Sequence, residues 1–113
     1  MATVEKILGQ SAPGATTSTK IYTVPASTST VISTITICNK SATATSFRIS
    51  VSPADSGTGT TDGQYLYFDY PVEGNMTVRL DNLRITLATT DTMYVYNTLA
   101  TCNFNIFGSE RAV

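Results

Sequence analysis

The sequence contains no histidine and no tryptophan, and it has only two cysteines in 113 residues. Histidine is the usual general base near neutral pH, so neither a Ser-His-Asp nor a Cys-His nucleophile can form. Two thiols without histidine also leave the ligand set of a structural zinc site incomplete. These absences predict a protein that is not an enzyme, with no catalytic residue, no metal ligand and no cofactor.

Charge and long apolar runs are also scarce. Charged residues make up 13% of the chain, about half the share typical of a globular protein. The formal net charge is −1, which leaves no basic face for phosphate, so we expect no nucleic-acid partner. No apolar run reaches the length of a transmembrane helix, and the first residues do not resemble a signal peptide, so we expect no membrane partner.

Hydroxyl-bearing and β-branched residues take the place of charge. The chain has 21 threonines and 11 serines, and threonine, valine and isoleucine favour strands. Short alternating segments are separated by turn residues at close spacing, which is typical of all-β proteins. We predict a single antiparallel β-sandwich or jelly-roll-like domain of about eight strands. An up-and-down barrel is the alternative that periodicity does not separate.

Two segments carry the clearest strand patterns. Residues 27–39 form the longest β run and have apolar residues on both faces, so we place this strand centrally. Residues 46–52 alternate, with Phe47, Ile49 and Val51 on the inward face. The other predicted strands are 17–24, 64–70, 76–80, 85–87, 93–96 and 100–107. Residues 53–63 are predicted to form one long loop.

Residues 1–16 are predicted to form an N-terminal arm, and residues 17–113 the β-sandwich domain. The arm combines Val4, Ile7 and Leu8 with a stretch of small residues at 9–14. This segment has too little apolar surface to fold alone. We expect it to cross to an adjacent subunit and add a strand to that sheet. The alternative is that residues 3–8 pair with their own domain as an edge strand.

Two acidic arrangements raise the question of a chemical site. Asp69 and Glu73 form a carboxylate pair beside aromatic residues, as glycoside hydrolysis needs, but we interpret them as polar residues at a strand end. Residues 55–62 have the Asp and Gly content of a calcium loop. They contain only two carboxylates, without the spacing of an EF-hand, and we interpret them as a turn.

The cysteines and tyrosines on the predicted strands suggest packing or contact roles. We expect Cys38 and Cys102 to be free buried thiols in a protein made in a reducing cytosol, with a disulfide between them as the alternative. Tyr94 and Tyr96 alternate with inward residues, so they offer amphipathic area for a protein interface or a sugar platform. Packing in the core is the alternative for both. The candidate interface residues are Val4, Ile7, Leu8, Tyr94 and Tyr96.

Six segments spread over nearly the whole chain carry a family likeness. They are ILGQSAP at 7–13, IYTVPA at 21–26, VISTITICNK at 31–40, ATSFRI at 44–49, YLYFD at 65–69 and NFNIFGSE at 103–110. Together they resemble a family of small structural proteins of tailed-bacteriophage virions.

The resemblance implies a virion component made in the host cytoplasm. A capsid cement or decoration protein, binding capsid subunits as a homo-oligomer such as a trimer, fits the β-rich profile and the predicted arm. A baseplate, neck or tail-fibre protein is the second interpretation. A carbohydrate-binding module, whose tyrosines stack on sugars, is an interpretation from a different class.

Overall fold

The alternating segments form strands that pair into two antiparallel sheets. The computed structural model describes residues 3–55 and 62–113, and these contain nine strands. The strands are β1 Thr3–Ser11, β2 Thr19–Thr23, β3 Thr28–Asn39, β4 Thr45–Ser52, β5 Tyr65–Val72, β6 Thr77–Leu80, β7 Ile85–Leu87, β8 Thr92–Asn97 and β9 Cys102–Ala112. Short 3-10 turns lie at Pro53–Asp55 and Asp62–Gln64. The prediction of an all-β sandwich is confirmed.

The strand order explains how the two sheets close on each other. The larger sheet has the order β1-β9-β3-β6, with β7 also paired to β3, and the smaller sheet has the order β2-β8-β4-β5. Strands β6 and β7 pair with successive parts of β3 and together act as one interrupted strand. The strand pairs are nested one inside the next, as in a single long hairpin that has been rolled up: β1–β9, β2–β8, β3–β6/β7 and β4–β5. This is a jelly-roll arrangement.

The core lies between the facing sides of the two sheets. The alternation predicted for β4 places Phe47 and Ile49 there, and Phe104 and Ile106 of β9 meet them from the larger sheet. Fully buried side chains include Phe47, Phe104, Ile32, Ile35, Ile37, Ile49, Met93, Ile106, Val24, Val72 and Val95. No helix in the described part of the chain is long and apolar enough to cross a membrane.

A β-bulge in β3 changes which residues face the core. Ile32 is buried near the start of the strand, whereas Ile35 and Ile37 are buried near its end. The register shifts between Ile32 and Thr34, and one extra residue in a strand reverses the alternation. Val31 therefore lies on the outer face, although its spacing in the sequence groups it with Ile35 and Ile37.

The predicted arm contributes an edge strand to its own domain. Residues 3–11 form β1, which pairs with β9 of the same chain along its whole length. Residues 3–8 therefore pair with their own domain here, as the alternative has it, and crossing to another subunit stays a prediction. The reason is that main-chain hydrogen bonds to β9, with Leu8 packed against the core, hold a segment that has little apolar surface of its own.

The two cysteines are free and lie on opposite faces of the larger sheet. Cys38 and Cys102 belong to the paired strands β3 and β9, but Cys102 is buried with Phe104, whereas Cys38 is half-buried on the outer side. The expectation that both thiols face the core is wrong for Cys38, because alternation along β3 turns it away from Ile37. Burial raises the pKa of the Cys102 thiol.

Candidate functional site

A line of backbone irregularities crosses the larger sheet. The register shifts between Ile7 and Gly9 in β1 and between Ile32 and Thr34 in β3. The two shifts lie on adjacent steps of β9, on either side of Phe107, because Ile7 and Thr34 each lie opposite that residue. The interruption between β6 and β7 continues this line. Because bulges bend the strands that carry them, their alignment bends the sheet along one row.

Gly108 lies next to this row, opposite Ile32 of β3. A β-carbon at this position would lie 2.1 Å from the carbonyl oxygen of Val31 and 2.9 Å from the α-carbon of Ile32. Such distances are far below van der Waals contact, so only glycine allows β9 to approach β3 here.

The outer face of the larger sheet is hollow around Val31. Three adjoining depressions on this face include Val31 in their lining, and the largest has a volume of about 930 Å³. The centre of the hollow is apolar: the side chains of Ile7 and Val31 are 54% and 37% exposed, and Phe107 between them is half-buried. An apolar strip in an open hollow is suited to contact with another macromolecule.

Charged side chains surround this strip. Arg79 and Asp81 form an ion pair with a distance of 2.8 Å between Nε and Oδ1. Arg84 and Arg111 also line the hollow, and neither forms an ion pair within the part of the chain that the structure describes. The rim therefore has polar and cationic groups that are free to pair with a partner.

A polar network ties β1 to the rest of the sandwich on the inner side. Lys6 Nζ lies 2.8 Å from Glu110 Oε1, and the Tyr22 hydroxyl donates to the other carboxylate oxygen of Glu110. Tyr22 also bonds to the Thr30 hydroxyl, at 2.8 Å. The hydrogen bonds from Lys6 and Tyr22 lower the pKa of Glu110. Burial, together with Glu110, raises the pKa of Tyr22.

A second surface, the arginine–aromatic cluster, lies on the outer face of the smaller sheet. The guanidinium carbon of Arg48 on β4 is 4.1 Å from the ring centre of Phe68 on β5 and 4.4 Å from that of Tyr96 on β8. Arg48 Nε also donates to Asp69 Oδ1 at 2.7 Å. Tyr65 packs edge-on against Phe68, with ring centres 4.9 Å apart. The cluster joins three neighbouring strands.

A bulge in β5 explains why one arginine meets two residues of that strand. Phe47 pairs with Tyr70 and Ile49 with Tyr67, so Phe68 and Asp69 together lie opposite Arg48. Asp69 adopts a φ of 51°, which is uncommon for a residue other than glycine. The hydrogen bond to Asp69 raises the pKa of Arg48.

The acidic candidates fall outside any assembled site. The Asp69 carboxylate is held by Arg48, while Glu73 lies exposed in the turn after β5. Residues 56–61 of the candidate calcium loop lie outside the described residues. Among the residues that the structure describes, no group of three or more His, Cys, Asp or Glu side chains could hold a metal ion.

The predicted interface residues fall on different surfaces. Ile7 lies in the hollow, whereas Val4 is 54% exposed at the far end of β1, and Leu8 packs partly against the core. Tyr94 and Tyr96 point outward from the smaller sheet, but Tyr94 is only 9% exposed, with Lys20 Nζ 5.9 Å from its ring centre. The structure therefore does not bring these five residues together.

Sequence reasoning missed four residues of these surfaces, namely Val31, Phe107, Gly108 and Arg48. Two of them left a signal in the sequence. A glycine within a strand pattern, as at Gly108, indicates a bulge or a close backbone approach. Val31 next to Ile32 breaks the alternation where the bulge lies. Nothing local marks Arg48, because its partners come from strands distant in sequence.

Comparison with known proteins gives no family for this chain: no protein-family model matches it, and a search of the curated proteins finds no match either.

Proposed function

We propose that this protein is a non-enzymatic structural component of a phage virion, most specifically a capsid cement or decoration protein that binds capsid subunits. The hollow on the outer face of the larger sheet carries this proposal, with Ile7, Val31 and Phe107 at its centre. The likeness of six sequence segments to virion proteins supplies the biological setting. Jelly rolls occur in viral capsid domains, which is compatible with the proposal as an analogy of fold.

The hollow supports binding to a protein rather than a small molecule. It is open, and its apolar strip is rimmed by polar and charged groups such as Arg84 and Arg111. This pattern of an apolar centre and a polar rim is typical of protein interfaces, whereas small-molecule sites are enclosed clefts.

A carbohydrate-binding function is the second candidate, because lectins also use jelly rolls and the smaller sheet carries exposed aromatic rings. Phe68 is 57% exposed, but the Arg48 guanidinium covers one face of Phe68 and one face of Tyr96. A sugar that stacked on these faces would have to displace a cation–π contact, so the cluster favours a structural role.

Quantitative mass spectrometry of purified particles encoded by the same genome tests the proposal. We expect a copy number comparable to that of the capsid protein. A few to some tens of copies per particle would instead favour the baseplate, neck or tail-fibre alternative. Absence of the chain from purified particles would contradict a virion function altogether.

Binding of purified protein to particles that lack it tests the hollow itself. Val31→Glu places a charge at the centre of the apolar strip and should abolish binding. The matched control, Thr43→Glu, adds the same charge on the exposed turn between β3 and β4 and should bind as the unchanged protein does. Equal binding by both variants would exclude the hollow as the contact surface.

A glycan array tests the second candidate, which requires binding to a sugar that is lost in Tyr96→Ala.

A further inference from the structure

We propose that β1, with the link up to Ala15, exchanges between copies of this chain, so that β1 of one copy pairs with β9 of another. The inference rests on the proposed function in one respect, because exchange requires copies to gather at high local density, as they do on a particle. The partner is a second copy of the same chain, and β9 of that copy is the binding edge.

The binding edge already fits β1. Residues 3–11 pair with β9 from Thr3 opposite Arg111 to Ser11 opposite Phe104, and a second copy offers the same edge. Gly9 fits closely against β2, since a β-carbon there would lie 2.6 Å from the carbonyl oxygen of Ile21. Every one of these contacts can be remade between two copies without any change of sequence.

Detachment of β1 exposes little apolar surface. None of its residues is buried, and the first five are all exposed. Its main side-chain ties are the partial packing of Leu8 on the core, the ion pair of Lys6 with Glu110 and a 2.8 Å hydrogen bond from Gln10 to Asn105. The free energy that holds β1 therefore resides mainly in main-chain hydrogen bonds, which a second copy can supply equally well.

The connection from β1 to β2 carries two local costs. Ala15 forms a parallel bridge to Asn97, whereas Thr19 pairs antiparallel with Val95, so the chain reverses over residues 16–18. Thr16 has a φ of 52°, a strained conformation for a β-branched residue. The Ser18 hydroxyl oxygen is buried without a hydrogen-bond partner among the described residues, which is also unfavourable. An extended connection would remove both costs, and strained hinge loops favour exchange.

Residues 16–18 form the hinge, and the link that precedes it, up to Ala15, moves together with β1. Asn97 Nδ2 donates to the carbonyl oxygens of Pro13 and Gly14, at 3.2 and 3.4 Å, and Pro13 is buried. In the exchanged form, Asn97 of the second copy would donate the same hydrogen bonds to this link. The bond from Thr16 N to Asn97 O, at 2.9 Å, is the contact that an extended hinge gives up.

A designed disulfide decides whether pairing occurs within or between chains. Glu5 and Ser109 lie directly opposite one another, and Glu5→Cys with Ser109→Cys, in a Cys38→Ser background, would join β1 to β9. After concentration of the purified protein and mild oxidation, we expect covalently linked multimers on a non-reducing gel. Linked monomers alone would overturn the proposal, as would a protein that remains monomeric at every concentration.

Variants of the hinge test whether its strain drives the exchange, without altering the binding edge. Thr16→Gly relieves the closed hinge and should weaken self-association by about tenfold or more. The matched control is Thr90→Gly in the turn between β7 and β8, where the threonine has a φ of 68°. It should leave self-association unchanged. Equal effects of the two variants would exclude hinge strain as the driving force. These measurements use the purified chain alone, so their failure would not affect the test on particles.

Discussion

Strands β1 and β5 are edge strands of different sheets and are held in different ways. β1 has no buried residue and is fixed mainly by its main chain and by the contact of Lys6 with Glu110. β5 is fixed by side chains: Tyr67 and Tyr70 pack on Phe47, with ring centres 6.2 and 5.2 Å apart, and Arg48 binds both residues of its bulge. An edge held mainly by main-chain bonds detaches at a lower cost than an edge held by packed side chains, so β1 is the edge expected to change partners.

The same difference separates the two candidate surfaces. The hollow of the larger sheet presents apolar side chains that are partly exposed, and it includes Ile7 of β1. The cluster on the smaller sheet satisfies its own groups, since Arg48 already contacts Asp69, Phe68 and Tyr96. Unsatisfied groups are available for a partner, so binding is expected on the larger sheet and structural support on the smaller one.

Removal of the ring beneath β5 should have the largest effect on stability. We expect Phe47→Ala to lower the free energy of unfolding by about 3–5 kcal/mol, because the ring is fully buried. Leu8→Ala in β1 itself should cost only about 1–2 kcal/mol, since Leu8 is half-buried. Urea unfolding of both variants measures the difference. A loss from Leu8→Ala as large as that from Phe47→Ala would mean that β1 is packed as firmly as β5.

The arginine–aromatic cluster should give an intermediate effect. We expect Arg48→Ala to cost about 1–2 kcal/mol, the sum of two exposed cation–π contacts and an ion pair. Arg79→Ala is the matched control, because Arg79 has a comparable ion pair with Asp81 but is mostly exposed, and it should cost less than about 0.5 kcal/mol. Similar losses in urea unfolding would show that the rings add nothing to the cluster.

The sequence predicts the strands and the sandwich well, because alternation reports which face of a strand is buried. It signals the bulge in β3 only through the adjacent Val31 and Ile32 and does not locate it, since the threonines and isoleucines around Ser33 suit either face. It also misleads at Gly9, where a run of small residues suggests a flexible arm. In the structure this glycine permits close packing against Ile21, a contact between strands that local pattern cannot reveal.

Acid should loosen β1 before β5. Lys6 and Tyr22 lower the pKa of Glu110 in the folded protein. The stabilisation is therefore complete above the ordinary pKa of about 4.3 and is lost as the pH falls through the lowered value. We expect hydrogen-exchange protection of β1 amides to fall below about pH 4, and protection of β5 to change less because its packed rings do not titrate in acid. Glu110→Gln should remove this pH step, and a step that persists in the variant would contradict the assignment to Glu110.

The smallest effect is expected at the native thiols, which lie on the central strands β3 and β9. Alkylation of the folded protein without reductant should modify Cys38 readily and Cys102 slowly, because Cys102 is buried and burial raises the pKa of its thiol. Lys6→Ala should loosen β1 but leave the alkylation rate of Cys102 unchanged, since β9 stays paired with β3. Mass spectrometry of the labelled protein measures both sites. Faster labelling of Cys102 in Lys6→Ala would mean that β1 does not detach alone, and recovery of both thiols as a linked pair would contradict their free state.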